Sequence, residues 1–345
     1  ALSNTGWLVG DRVLRLGVGL ILSVWIARYL GPEQFGLLNY ALAITALFGA
    51  LANSGLNGVV VRDLIARPES APATLGTGLA MQLVGGLLAY AAAVALVAFL
   101  RPDDPMARLL VAILGLTLVF KASDMVRYWF EARVQSRYVV WADNGVFLLL
   151  AAIRVALVVG EAPLVAFAWA ALAEAALAAA GLCAVYARQH DLGSRWRASR
   201  ARFKSLFADS WPLVLSGLAV MIYMRIDQLM LGEMLGDEAV GVYSAATRLS
   251  EVWFFLPTAI IASTFPAILA VRTSDPHRYR ARLERIYSLM VALGLAVAIP
   301  VSFLSTILMT ALFGEAYAAA GPVLAVHIWC GIFVFLGVAS SNWFV

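Results

Sequence analysis

Leu79-Ala-Met-Gln-Leu-Val-Gly-Gly-Leu-Leu-Ala-Tyr-Ala-Ala-Ala-Val-Ala-Leu-Val-Ala-Phe-Leu100 runs for 22 residues without a charged side chain. At about 1.5 Å per residue, a helix of that length crosses roughly 30 Å of hydrocarbon. The stretch has no polar face, and neither does Val291–Leu304 farther along the chain. A large soluble all-helical protein needs amphipathic helices, so that class is excluded. Composition agrees: only 13% of the 345 residues are charged and 62% are apolar, whereas soluble domains carry roughly 25% charge. Lipid admits only helices and closed barrels, and no ten-residue alternation suggests a barrel. The chain reads as an all-α polytopic membrane protein.

Working outward, apolar runs bounded by Gly, Pro and charge predict ten spans, near 7–30, 37–61, 75–100, 106–125, 139–159, 164–187, 210–231, 239–270, 286–304 and 321–342. The first is too long for a signal peptide and lacks a cleavage motif. Placing the N-terminus in the cytoplasm puts 17 of the 25 basic residues in loops on that side and only Arg101 and Arg108 in the opposite loops. The bias predicts a cytoplasmic N-terminus. Eight acidic residues, among them Asp103, Glu233 and Glu315, fall in those opposite loops.

Gly31-Pro-Glu-Gln-Phe-Gly36 and Gly236-Asp-Glu-Ala-Val-Gly241 lie 205 residues apart, each between two long apolar runs. Trp129-Phe130 and Trp343-Phe344 match at an offset stretched to 214. Six spans separate the copies, and an even number means a parallel repeat about the membrane normal. The expected organisation is an N-lobe of six spans at 1–190, a basic amphipathic linker at 191–208 and a C-lobe at 209–345. The second copy holds about four spans against six, so the C-lobe is read as incomplete. In the linker, Trp196, Phe203, Leu206 and Phe207 recur at helical spacing among Arg195, Arg197, Arg200, Arg202 and Lys204, the pattern of an interfacial anchor.

Asn4-Thr-Gly-Trp7-Leu, followed by Ile26-Ala-Arg28-Tyr-Leu-Gly31-Pro-Glu-Gln-Phe-Gly36, resembles the opening of O-antigen (Wzx) type oligosaccharide flippases. Arg225-Ile-Asp227-Gln-Leu-Met-Leu-Gly232, Val240-Gly-Val-Tyr-Ser-Ala-Ala246, Pro257, Pro266 and Phe313-Gly-Glu-Ala-Tyr317 are similar to later parts of the same family. The resemblance covers most of the chain, though its motifs are mainly turn and packing signals. It implies membership of the multidrug/oligosaccharidyl-lipid/polysaccharide exporter superfamily, with a two-lobed bundle, a central cavity and alternating access. The implied cargo is an undecaprenyl-pyrophosphate-linked oligosaccharide, moved from the cytoplasmic to the periplasmic leaflet of a bacterial inner membrane. Implied partners are that glycolipid, membrane lipids and the downstream glycan polymerase machinery, with no nucleic acid.

Ionisable residues inside spans are costly, so each needs a cavity or a partner. Arg12 and Arg15 share one face in the first turns of the first span, with Asp11 beside them. Arg154, Arg225 and Arg248 lie at other depths, alongside Glu174, Asp227 and Glu251. Arginine forks suit pyrophosphate oxygens and stay charged at any biological pH. The five arginines are therefore candidates for substrate contact. They are also candidates for pairing with the four acids, which leaves an excess of one positive charge. Asp11, Asp227, Glu251 and Glu174 are candidates for coupling to H+ or Na+, or for bridging helices. His327 reads as a packed helix residue, Arg28 as a snorkelling anchor, and Cys183 and Cys330 as small packing residues.

No bond-making chemistry is signalled. Gly-x-Ser-x-Gly, Walker-type loops and metal-ligand spacings are absent, so neither catalytic residues, a bound cofactor nor a metal site is expected. The rival readings are a multidrug antiporter or lipid II flippase of the same superfamily and, from another class, a membrane glycosyltransferase or glycan polymerase. The antiporter would favour acids and aromatics over two arginines in the first span. The enzymes would need a long outer loop.

Overall fold

The computed structural model describes the backbone of residues 2–189, 196–269 and 276–341. Side chains are described from Arg15 onward, outside 136, 189, 262–263, 265–269, 276 and 341 within those ranges. The side chains of Asp11 and Arg12, and all of Arg195, Trp343 and Phe344, lie outside the described residues. The described chain is helical: α1 (Leu2–Asn53), α2 (Leu56–Ala66), α3 (Ala71–Leu100), α4 (Pro105–Gly115), α5 (Thr117–Phe120), α6 (Asp124–Ala132), α7 (Ser136–Val159) and α8 (Leu164–Gln189) come first. Then follow α9 (Arg200–Met234), α10 (Asp237–Glu251), α11 (Phe255–Leu269), α12 (Pro276–Phe313), α13 (Ala320–His327) and α14 (Cys330–Ser341).

Eight helical stretches among the described residues are long and apolar enough to cross a membrane. The first, Arg15–Ala66, takes in the first two expected spans. They meet at Gly31, whose φ of 73° and ψ of 171° break the helix. Pro32 follows, where its missing N–H is no loss. Gly236, the equivalent glycine of the second copy, also has positive φ, 89°. The segment expected at 239–270 is instead two 15-residue helices, α10 and α11, joined by a 3-10 turn at Val252–Phe254. The part of the linker from Arg200 onward forms no separate helix; it is the first turns of α9. One short turn is capped locally: the Asp104 carboxylate accepts the backbone N–H groups of Met106 and Ala107 at 3.0 and 2.9 Å, with Pro105 between them.

Packing groups the chain into two compact units, residues 1–15 with 33–240, and residues 16–32 with 241–345. The grouping cuts across the lobes expected from the repeat. The later part of the first span keeps company with the second copy, while α9 keeps company with the first. In the first unit, α3 packs on α4, α5 and α9, and α7 packs on α8. Gly86 of α3 makes this contact close: a Cβ there would come within 2.6 Å of the Leu118 carbonyl. A core of Leu56, Val60, Leu75, Met125 and Leu206 ties α2, α3 and α6 to the start of α9. In the second unit, Ile261, Ile286, Met290, Phe335 and Ala339 join α11, α12 and α14.

Candidate functional site

Polar side chains gather at two levels of the first unit. One level is set by the second turn of α7, about 10 Å along it from its basic-loop end. There Asn144 Oδ1 accepts from Arg15 Nη2 at 2.8 Å, and the Arg15 guanidinium lies 5.1 Å from the Phe147 ring centre. The neighbouring Asp143 takes Arg127 Nη1 at 2.7 Å, while Arg127 Nε reaches Asp124 at 3.2 Å. The other oxygen of Asp143 is buried with no hydrogen-bond partner among the described residues. Farther along α7, Arg154 Nη2 meets Glu174 of α8 at 2.6 Å, so these two candidates neutralise one another.

The second level is at the acidic-loop end and centres on Arg101, just past α3. Its Nε donates to Glu233 at 2.9 Å, its Nη1 to Asp237 at 2.7 Å and its Nη2 to the Gly232 carbonyl at 2.9 Å. Asp104 stands 3.5 Å away. The guanidinium lies 3.8 Å from the ring centre of the buried Tyr40, whose hydroxyl donates to Glu233 at 2.6 Å. Three carboxylates around one cation leave the cluster two charges negative. Burial raises the Asp237 carboxyl above its ordinary value, and the hydrogen bond and charge of Arg101 only partly offset that.

The second unit holds a counterpart. Tyr317, in the turn after α12, is buried and donates its hydroxyl to the Ala27 carbonyl at 2.9 Å. Burial pushes this phenol up, so it remains a donor at any physiological pH. Arg28 Nη2 reaches the Ala311 carbonyl at 3.4 Å. Ala27 and Gly232 are 205 residues apart, the offset of the repeat, and each lies four residues before its turn glycine. Equivalent carbonyls are therefore each held by a side chain from the turn after the third span of the other copy.

The remaining candidates are dispersed. Arg225 and Asp227 are half-buried on α9, where the Asp227 carboxylate accepts the Gln228 N–H at 2.7 Å. Arg248 is exposed and Glu251 half-buried on α10, in the other unit. His327 Nδ1 lies 3.0 Å from the Ser250 hydroxyl. Sequence reasoning passed over Asp143 and Asn144, although Asp143 lies inside an expected span and met the same criterion as the residues chosen. Arg127 counted among the loop basics, and Asp124, at the end of the expected 106–125 span, was not singled out. Arg101 had been read as one of two loop basics, because its partners lie 132 and 136 residues away.

Comparison with known proteins adds to this geometry. The sequence profile described as polysaccharide biosynthesis protein matches residues 1–272. The succinoglycan biosynthesis transport protein ExoT of Rhizobium meliloti (strain 1021) is 24% identical over 327 residues, covering 93% of this chain and 64% of that protein. The probable flippase AglR of Haloferax volcanii is 24% identical over 342 residues, covering 92% of this chain and 66% of that protein. The chain thus spans just under two thirds of the length of either relative. Among solved structures, it resembles the inward-facing conformation of a multidrug resistance MATE family transporter of the MOP superfamily. The TM-score is 0.73 at 16% identity, over 96% of this chain and 80% of that one. That likeness gives the fold. The similarity is to transporters rather than to enzymes.

Proposed function

Because the chain belongs to the polysaccharide biosynthesis protein family, we propose that it is a flippase for lipid-linked oligosaccharide, working by alternating access. The observation that carries this reading is the pair of reciprocal clamps on Ala27 and Gly232. Each joins the two sequence copies at the acidic-loop end of the spans, inside a single compact unit. A transporter needs such contacts to be reversible, and a bundle serving only as a scaffold needs no such exchange. The relatives named for succinoglycan transport and as a probable flippase support a glycolipid cargo.

The proposed cargo is an undecaprenyl-pyrophosphate-linked glycan that passes from the cytoplasmic to the periplasmic leaflet of a bacterial inner membrane. The lobes are residues 1–190 and 209–345, the N-terminus is cytoplasmic, and a downstream glycan polymerase receives the product. Arg12 and Arg15 receive the pyrophosphate first, and Arg225 and Arg248 hold it farther across. Coupling to H+ or Na+ falls to Asp227, Glu251 or Asp11. Each charge-assisted contact contributes roughly 1.5–3 kcal/mol, so losing one weakens binding by about ten- to a hundredfold. The test is glycan export at matched protein level. The double variant Arg12→Ala/Arg15→Ala is expected to lose export and accumulate lipid-linked glycan in the inner leaflet. Wild-type export by that variant removes both residues from the mechanism.

A further inference from the structure

We propose that the groove between α3 and the first turns of α9 is a binding site for one anionic phospholipid of the leaflet on the basic-loop side. The groove encloses about 790 Å³, with Leu51 and Ser54 at the end of α1 forming its floor between α3 and α9. Its α9 wall is a stripe at helical spacing, Phe203, Phe207, Trp211 and Leu215, with all four side chains exposed by about half. Phe203 and Phe207 stack at 5.8 Å with their planes 13° apart. Across from them, α3 presents Val84 and Leu88, which are 57% and 64% exposed. Apolar side chains this open, facing one another across a concave wall in a membrane protein, are a seat for hydrocarbon.

The polar groups decide which hydrocarbon. They collect at the end where α9 begins: Arg200 lines the groove, and the Ser199 N–H beside it is fixed by the Thr77 hydroxyl at 3.0 Å. The nearby acids are already taken. Asp63 holds Arg202 at 2.7 Å, and Asp209 holds Arg62 at 2.8 Å. Among the described residues, no carboxylate lies within 4.0 Å of the cationic groups of Arg197, Arg200 or Lys204. Arg200 at the mouth of an apolar trough, with the exposed Arg197 and Lys204 close by in sequence, matches a phosphate with its acyl chains.

Length chooses between lipid sources. From Arg200 to Leu215 is about 22 Å along the helix, somewhat more than one leaflet's roughly 15 Å of hydrocarbon. That suits leaflet acyl chains beneath a headgroup. A long polyprenyl tail would overrun it. Bound there, the phospholipid props the start of α9 against α3.

Trp211 is the built-in reporter. The full-length protein is reconstituted in phosphatidylcholine vesicles containing increasing fractions of brominated phosphatidylglycerol or, separately, brominated phosphatidylcholine. Quenching of Trp211 is taken as the difference between the wild type and Trp211→Phe. Each basic residue near an anionic headgroup favours binding by about fivefold, so quenching should saturate at a mole fraction at least about tenfold lower for phosphatidylglycerol. Arg200→Gln/Lys204→Gln, two exposed changes, should abolish that preference while leaving the thermal melt unchanged. Val84→Trp should fill the trough and reduce quenching by both lipids; if it fails to fold, the Arg200 and Lys204 pair still decides. Equal quenching by the two lipids in the wild type means ordinary boundary lipid and overturns the proposal. So does full displacement of phosphatidylglycerol by equimolar polyprenyl phosphate, which would make the groove a seat for the cargo tail.

Discussion

The carbonyls of Ala27 and Gly232 occupy the same place in the two sequence copies and are held by different chemistry. Gly232 is gripped by a guanidinium that also holds Glu233 and Asp237 and lies over the Tyr40 ring. Ala27 is held by one neutral phenol. Even the charge of the neighbouring residue is reversed, since Glu233 stands at the offset position of Arg28. The ionic clamp is the stronger and responds to pH through the raised Asp237 carboxyl. The neutral clamp is weaker and insensitive to pH. The two copies hold the same position of this contact with different chemistry.

The largest expected effect comes from removing the cation. The Arg101 side chain is only 11% exposed, and losing one partner of a buried pair destabilises by roughly 3–5 kcal/mol. Glu233 and Asp237 are somewhat more open, so Arg101→Ala should fall at the lower end, about 3 kcal/mol. Spin labels at Asp103 and Glu238, both exposed, should move from one short distance to a broad, longer distribution. An unchanged distance distribution would show that Arg101 clamps nothing.

Tyr317→Phe should have a smaller effect, about 1 kcal/mol, the net value of one neutral hydrogen bond. Thermal unfolding in detergent measures it. A loss as large as that of Arg101→Ala would erase the proposed asymmetry between the clamps.

The finest distinction is in pH. Burial raises the Asp237 carboxyl, so the clamped arrangement binds a proton more tightly than a solvated aspartate does. By linkage, acidification through the range just above the ordinary aspartate value should favour the clamped arrangement, and rising pH should favour release. The population of the short 103–238 distance should therefore grow modestly as pH falls. Asp237→Asn should remove that dependence, and a trend of the opposite sign would mean that the Arg101 attraction outweighs burial.

The sequence showed where hydrocarbon must lie but misjudged where some helices run. Apolar length marks the part of a helix that lipid can cover, so α9 was placed at 210–231 although it starts at Arg200. Aromatics among basic residues had looked like a separate anchor, and local pattern could not show that one helix joins both. Gly31 and Gly236 were legible as paired turn residues because only glycine takes such φ without strain. Among the chosen arginines, Arg15 proved to sit on Asn144 and Arg154 on Glu174. The Arg154 pairing was one of the alternatives open from the charge count, but which acid it would take was not readable.

What the sequence determined by itself is therefore the membrane class, the position of most spans, the repeat and the family resemblance. Each follows from patterns within about twenty residues, or from identity at a fixed offset, and both survive without knowledge of folding. Only the tertiary structure decided that 16–32 pack with 241–345, that α9 packs with the first copy, and that the loop residue Arg101 gathers three carboxylates. Apart from that between Arg101 and Asp104, those contacts join residues more than a hundred positions apart, and their energies come from desolvation and charge geometry that exist only once the helices have packed.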